Sequence, residues 1–206
     1  MLRGHTSTAI LATTRSSHLM TTTPDQLGER PQTRAQASDL RRLIPFERPQ
    51  SNPWVVPLPE GAVSKLLLGF RGSSMDDRYF VYTDGPSADG EVVVHIHRSW
   101  TGYALADITI KIPCGRDGQP DPEGDGAKIT KITYEASQKR WDYEMIGLAN
   151  LDTSKGFAMH ILGDWVFDIR FPKPIWNDVD AQFQKAKRDF IAYLEGLEEE
   201  QETGNI

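Results

Sequence analysis

The chain has 206 residues, 38% of them hydrophobic and 25% charged, and a formal net charge of −6. That length suits one domain with tails, the acidity excludes a global basic footprint for nucleic acid, and no apolar run reaches the ~20 residues of a membrane-spanning helix. The one cysteine, Cys114, excludes an internal disulfide and a multi-cysteine zinc site, and fits a reducing, cytoplasmic setting.

Residues 1–38 are rich in Thr, Ser, Arg, Gln and Pro and read as a disordered tail. The first 24 carry no acid, which resembles a transit peptide in composition; with Met20 as a second start, a tail from an upstream start is the simpler expectation. Ser38 and Asp39 offer a cap for a short helix through Leu40, Leu43 and Ile44, stopped by Pro45. Pro49, Pro53, Pro57 and Pro59 then impose extended geometry on the residues before them. Residues 62–70 are apolar enough for a buried strand or a helical turn.

Residues 77–83 read as a strand, with Tyr79 and Val81 on one face and Phe80 and Tyr82 on the other. Turn chemistry at Asp84, Gly85, Pro86, Asp89 and Gly90 leads into a second strand over 91–100. A corner at Thr101 and Gly102 leads into a third over 103–112, and a fourth is expected over 127–134. Short polar links between the first three predict an antiparallel meander. Residues 143–151 fit a helix or a strand, whereas Phe167, Ile169 and Phe171, alternating with Asp168 and Arg170, predict a strand over 165–171. Asn177 is a plausible helix cap. Val179, Phe183, Ala186, Phe190, Leu194 and Leu197 then recur at steps of four and three, as one stripe of a helix. The glutamates from 198 on oppose the helix dipole, so residues 198–206 are expected to fray. The resulting class is α+β: an antiparallel sheet of about four to six strands in a single domain over 39–197, with the amphipathic C-terminal helix packed on one face.

The densest chemistry is His95-Ile96-His97-Arg98-Ser99-Trp100-Thr101-Gly102. Strand alternation sends Val92, Val94 and Ile96 to the core and puts His95 and His97 together on the opposite face; Arg98 and Trp100 share the core parity and are expected to be partly buried. The histidine pair would need a third ligand for a metal, from His160, Asp77 or Asp107, and the spacing selects none, so no metal and no cofactor is expected. Asp77, His97 and Ser99 could be assembled as a hydrolytic set, but no nucleophile elbow supports it. The acidic loop 117–126 lacks the EF-hand spacing, and no base is evident for Cys114. His97, Arg98, Ser99, Trp100, Thr101 and Tyr103 remain as candidate ligand-binding residues. They supply a planar cation, stacking faces and hydroxyls suited to a nucleotide or an ADP-ribose-like molecule.

Asp76-Asp77-Arg78-Tyr79-Phe80-Val81-Tyr82, then Asp84-Gly85, then His97-Arg98-Ser99-Trp100-Thr101-Gly102 resembles a small uncharacterised bacterial and phage domain marked by HRSWTG. It occurs alone and beside ADP-ribosyl-hydrolase-like or macro-type modules. The resemblance runs from about residue 75 to residue 112 and implies a compact α+β domain, a cytoplasmic setting and a link to nucleotide or ADP-ribose metabolism. It carries no catalytic assignment. The leading expectation is a non-catalytic module that binds a small molecule or a partner protein around the corner, without nucleic acid or membrane, and compatible with an oligomer. One alternative is an enzyme on a nucleotide or ADP-ribose-type substrate, with His97 as base and Arg98 on phosphate. Another is a structural or immunity-type protein that docks through its C-terminal helix.

Overall fold

A computed structural model describes residues 33–74, 76–141 and 149–203, with side chains to residue 192. The expected tail up to residue 32, most of the ambiguous 143–151 segment and residues 204–206 lie outside the described residues. The elements run β1 (Pro49–Pro57), α1 (Ala62–Leu68), β2 (Tyr79–Asp84), β3 (Glu91–Arg98), β4 (Ala104–Lys111), β5 (Lys128–Glu135), α2 (Leu151–His160), a widened π-type turn (Ile161–Trp165) and α3 (Lys173–Thr203). The five strands form one antiparallel sheet in the order β1-β5-β4-β3-β2. The meander is thus the one expected, and the proline-punctuated lead-in closes it as β1.

One face of the sheet is apolar. Val81, Val92, Val94, Ile96, Ile108, Ile110, Ile129 and Ile132 lie on it, all fully buried. Helix α1 covers this face with Ala62, Val63 and Leu66, and α2 with Phe157, Ala158 and Met159. The C-terminal helix joins the same core through Val179 and Phe183, packed against α2. Burying a large aliphatic side chain contributes about 1.5–3 kcal/mol, so this ladder of isoleucines and valines is a large contributor to stability. The other face is polar, and across it run Ser51, Thr133, Asp107, His95 and Tyr82, one from each strand in register.

Both sheet edges are closed locally. In β1 the Ala136 N–H bonds the Arg48 carbonyl and the Leu58 N–H bonds the Ala127 carbonyl. By alternation along the ladder, Pro49, Pro53 and Pro57 fall where an N–H would have pointed away from β5. At the other edge Phe70 and Val81 exchange two backbone bonds of 2.7 and 3.0 Å. Arg34 adds side-chain bonds to the carbonyls of Thr83 and Gly85.

Several local expectations are corrected. Residues 33–38, assigned to the tail, are instead anchored to the domain at Ala35, which is buried and whose N–H bonds the Leu68 carbonyl. The helix expected through Leu40, Leu43 and Ile44 is instead a single 3₁₀ turn, Ala37–Asp39, capped by Gln36. Ile44 leaves it to pair with Tyr103, where its backbone finds sheet partners. Residues 62–70 form α1. Phe167, Ile169 and Phe171 are buried and alternate as expected, but they form no strand. Asp168 adopts a φ of 51°, which ends extended geometry there. Helix α3 begins at Lys173 rather than at Asn177, because the Pro172 carbonyl takes the first helical bonds and Pro174 suits a first turn. Its backbone stays helical to Thr203, past the expected fraying at 198. Glu and Gln are good helix formers, and the dipole penalty applies only within the last turn.

Candidate functional site

The HRSWTG residues divide between three environments. Strand β3 ends at Arg98, and the chain reverses there: Arg98 N–H donates to the Tyr103 carbonyl and Gly102 N–H to that of Arg98, both at 2.9 Å. His97 is buried and shares 3.1 Å between Nδ1 and the Gly102 carbonyl, which assigns its proton to Nδ1. Ser99 Oγ donates to the Asp77 carbonyl at 2.6 Å and its N–H to that of Arg78 at 3.0 Å. The Asp77 carboxylate itself receives the N–H groups of Ser73 and Ser74. Asp77, His97 and Ser99 therefore do not form a relay. Arg98 is half-buried on the core side, paired with Tyr79 and on the face opposite His97. The expected base and phosphate ligand do not converge.

The outward residues of the motif are Trp100, Thr101 and, beyond it, Tyr103. Trp100 is 72% exposed, which corrects the expected partial burial, since strand parity stops where β3 stops. Thr101 Oγ1 accepts from the Tyr103 N–H at 3.4 Å. The Arg140 guanidinium lies 4.1 Å over the Tyr103 ring. Tyr103, Glu47, Lys139 and Arg140 line a recess of about 360 Å³. Lys139 and Arg140 bond the Glu47 carboxylate at 2.5 and 3.0 Å, and these two hydrogen bonds bring its pKa down to about 2.

His95 makes a separate cluster on the polar face. Its Nδ1 is 2.8 Å from Asp107 Oδ1 and its Nε2 is 3.2 Å from Asp84 Oδ2. Acceptors at both nitrogens are satisfied together only by the imidazolium. Burial alone would lower its pKa, but the hydrogen bond to Asp107 and the charges of Asp107 and Asp84 outweigh burial and raise it. The Tyr82 ring stacks on His95 at 4.5 Å. Burial, then the charges of Asp84 and Asp107, push the Tyr82 phenol up to about 12. No group of three or more metal-ligating side chains occurs among the described residues. His95, His97 and the suggested third ligands therefore do not converge on a metal.

His160, at the end of α2, stacks on Trp165 at 4.9 Å, and its Nε2 is 3.3 Å from Asp180 Oδ1. Burial lowers the pKa of His160 and of His97. The three described histidines therefore act with opposite signs. The His95 contribution is complete below the ordinary value of 6.5 and is lost as pH rises through its raised value. Those of His97 and His160 are complete above 6.5 and are lost as pH falls through their lowered values. An NMR titration of the imidazole C–H signals is expected to place His95 above 6.5 and the other two below it. Asp107→Asn is expected to lower the His95 midpoint; one midpoint shared by all three would contradict the assignment.

Sequence reasoning missed Arg34, placed in the tail, and Glu135, which lies one residue past the expected fourth strand and closes β5. No family model matches the chain, and no curated protein or solved structure matches it. No helix among the described residues is long and apolar enough to cross a membrane.

Proposed function

We propose that this is a non-catalytic cytoplasmic module that docks an anionic segment of a partner protein at the HRSWTG corner. The observation that carries the reading is Trp100, an indole 72% exposed on a turn whose backbone and polar side chains are bonded inward. A large aromatic surface already fixed in place loses little entropy on binding, which is why Trp, Tyr and Arg dominate interface hot spots. The segments that meet this turn contribute Arg41, Arg42, Arg78, Lys139 and Arg140 against Asp76, Asp77 and Glu47. In a chain of net charge −6, this is a locally cationic aromatic corner. His97 and Ser99 are each bonded to a backbone carbonyl rather than to each other, which supports a non-catalytic reading of this corner. The exposed free thiol of Cys114 is in keeping with a reducing compartment.

A nucleotide or ADP-ribose-type ligand is the second reading. It is favoured by the recess at Tyr103, Lys139 and Arg140, whose volume of about 360 Å³ is that of a small-molecule site. Both readings are tested by titrating the protein with an acidic Glu/Leu peptide, ADP-ribose and ATP. The peptide is expected to bind, and Trp100→Ala is expected to weaken it by about 2 kcal/mol without lowering the melting temperature. Binding of ADP-ribose or ATP, lost on Arg140→Ala, would transfer the conclusion to the second reading. No binding by any of the three would sink both.

A further inference from the structure

At the far end of β2 from this corner, the geometry points to a second binding site, one for a small zwitterion of the α-amino-acid class. Residues 33–38 run as a strap beside the outer edge of β2. The strap is fixed: the Ala35 N–H bonds the Leu68 carbonyl at 2.8 Å, and Arg71 donates to the carbonyls of Thr33 and Arg34 at 2.9 and 2.8 Å. Between strap and strand lies a cleft of about 530 Å³, lined by Arg34, Gln36, Ser38, Tyr82 and Asp84 among others.

Two opposite charges share this cleft without meeting. Arg34 uses one nitrogen, Nη2, for the carbonyls of Thr83 and Gly85, the residues on either side of Asp84. Its Nε and Nη1 have no partner among the described residues. Asp84 turns to the polar face, with Oδ2 3.2 Å from His95 Nε2, yet its side chain remains 72% exposed. No ion pair joins Arg34 to Asp84 among the described residues. The remaining Arg34 N–H groups, on Nε and Nη1, can each donate singly to a carboxylate, and Asp84 is an acceptor for an ammonium group. An anion alone would meet the Asp84 charge, and a cation alone would meet that of Arg34. A molecule carrying both signs is the species the cleft accommodates without a repulsive contact. Gln36, Ser38 and the Tyr82 ring are left to hold the side chain of such a ligand.

The test is a ¹⁵N NMR titration of the full chain with the L-α-amino acids, using acetate and methylammonium as single-charge probes. At least one amino acid is expected to move the amides of residues 34–38 and 82–85, with affinity at least tenfold above either probe. Asp84→Asn, which preserves size, is expected to weaken that binding at least tenfold while amides away from the cleft and from its hydrogen-bonded neighbour His95 stay in place. Trp100→Ala, at the other end of β2, is expected to leave it unchanged, so the two sites can fail separately. The inference is overturned if no amino acid moves these amides at millimolar concentration. It is also overturned if a single-charge probe binds as tightly as the best amino acid, or if Asp84→Asn binds like the wild type.

Discussion

Glu135→Ala is expected to destabilise the fold by about 4 kcal/mol, since hydrogen bonds to charged groups are each worth ~1.5–3 kcal/mol and the donors left behind must be resolvated. Glu135 closes β5, is fully buried, and its carboxylate receives three backbone N–H groups: Glu47 at 2.6 Å, Arg48 at 2.9 Å and Ser137 at 2.8 Å. These donors belong to the segment entering β1 and the segment leaving β5. One side chain therefore fastens the start of the edge strand to the end of its neighbour. Glu135→Gln keeps the shape but turns an amide toward one of the donors, and is expected to lose roughly 2 kcal/mol. Urea unfolding of the two variants checks the order. Equal stability of Glu135→Ala and wild type would mean that water replaces the carboxylate at no cost.

The second large effect is at Gly102. Its φ is +75°, and a Cβ built there would stand 1.9 Å from the Arg42 carbonyl oxygen. Gly61 provides an internal control, with a φ of +70° and nothing within 4 Å of the same built atom. Gly61→Ala is expected to cost about 1 kcal/mol, the conformational penalty alone. Gly102→Ala adds a backbone collision that separates Ile44 from Tyr103, and is expected to cost at least ~3 kcal/mol. For a chain of this size that difference lowers the melting temperature by several degrees more than the Gly61 variant does. Equal losses in the two variants would show that the Arg42 segment moves aside freely. The glycine of HRSWTG is on this account a structural requirement, and Trp100 and Thr101 before it are the exposed part of the motif.

The sheet was legible where period-two alternation was strong. Val92, Val94 and Ile96 point to the core as the pattern requires, and His95 and His97 share the other face. The partner of His95 was not legible. Counting back from the Arg98–Tyr103 turn puts Ala106 opposite His95, but β4 contains one extra residue between Ala104 and Ala106. That bulge puts both Leu105 and Ala106 into the core and advances Asp107 to face His95. A one-residue shift of this kind leaves no mark in composition. The same limit applies to 165–171, where alternating burial came from a loop lying on the core and not from a ladder. Arg34 was concealed by its polar neighbours, since its role depends on the Thr83 and Gly85 carbonyls, which are distant in sequence. The C-terminal stripe was visible because Val179 and Phe183 meet a core at helical spacing. Its first turn was misread because a carbonyl, Pro172, starts the helix where a side-chain cap was sought.

The three outward prolines of β1, with Phe70 and Arg34 across β2, bear on how this molecule can associate. Templating of fibrils and recruitment of an extended peptide both begin with a row of unsatisfied backbone donors and acceptors at a sheet margin. Here one margin lacks donors at Pro49, Pro53 and Pro57, and the other is occupied by the chain itself. Copies crowded together during synthesis therefore have little backbone through which to register with one another. Among the described residues, association through a sheet margin is therefore disfavoured, and contacts are left to side chains, which can be altered one at a time without disturbing the sheet.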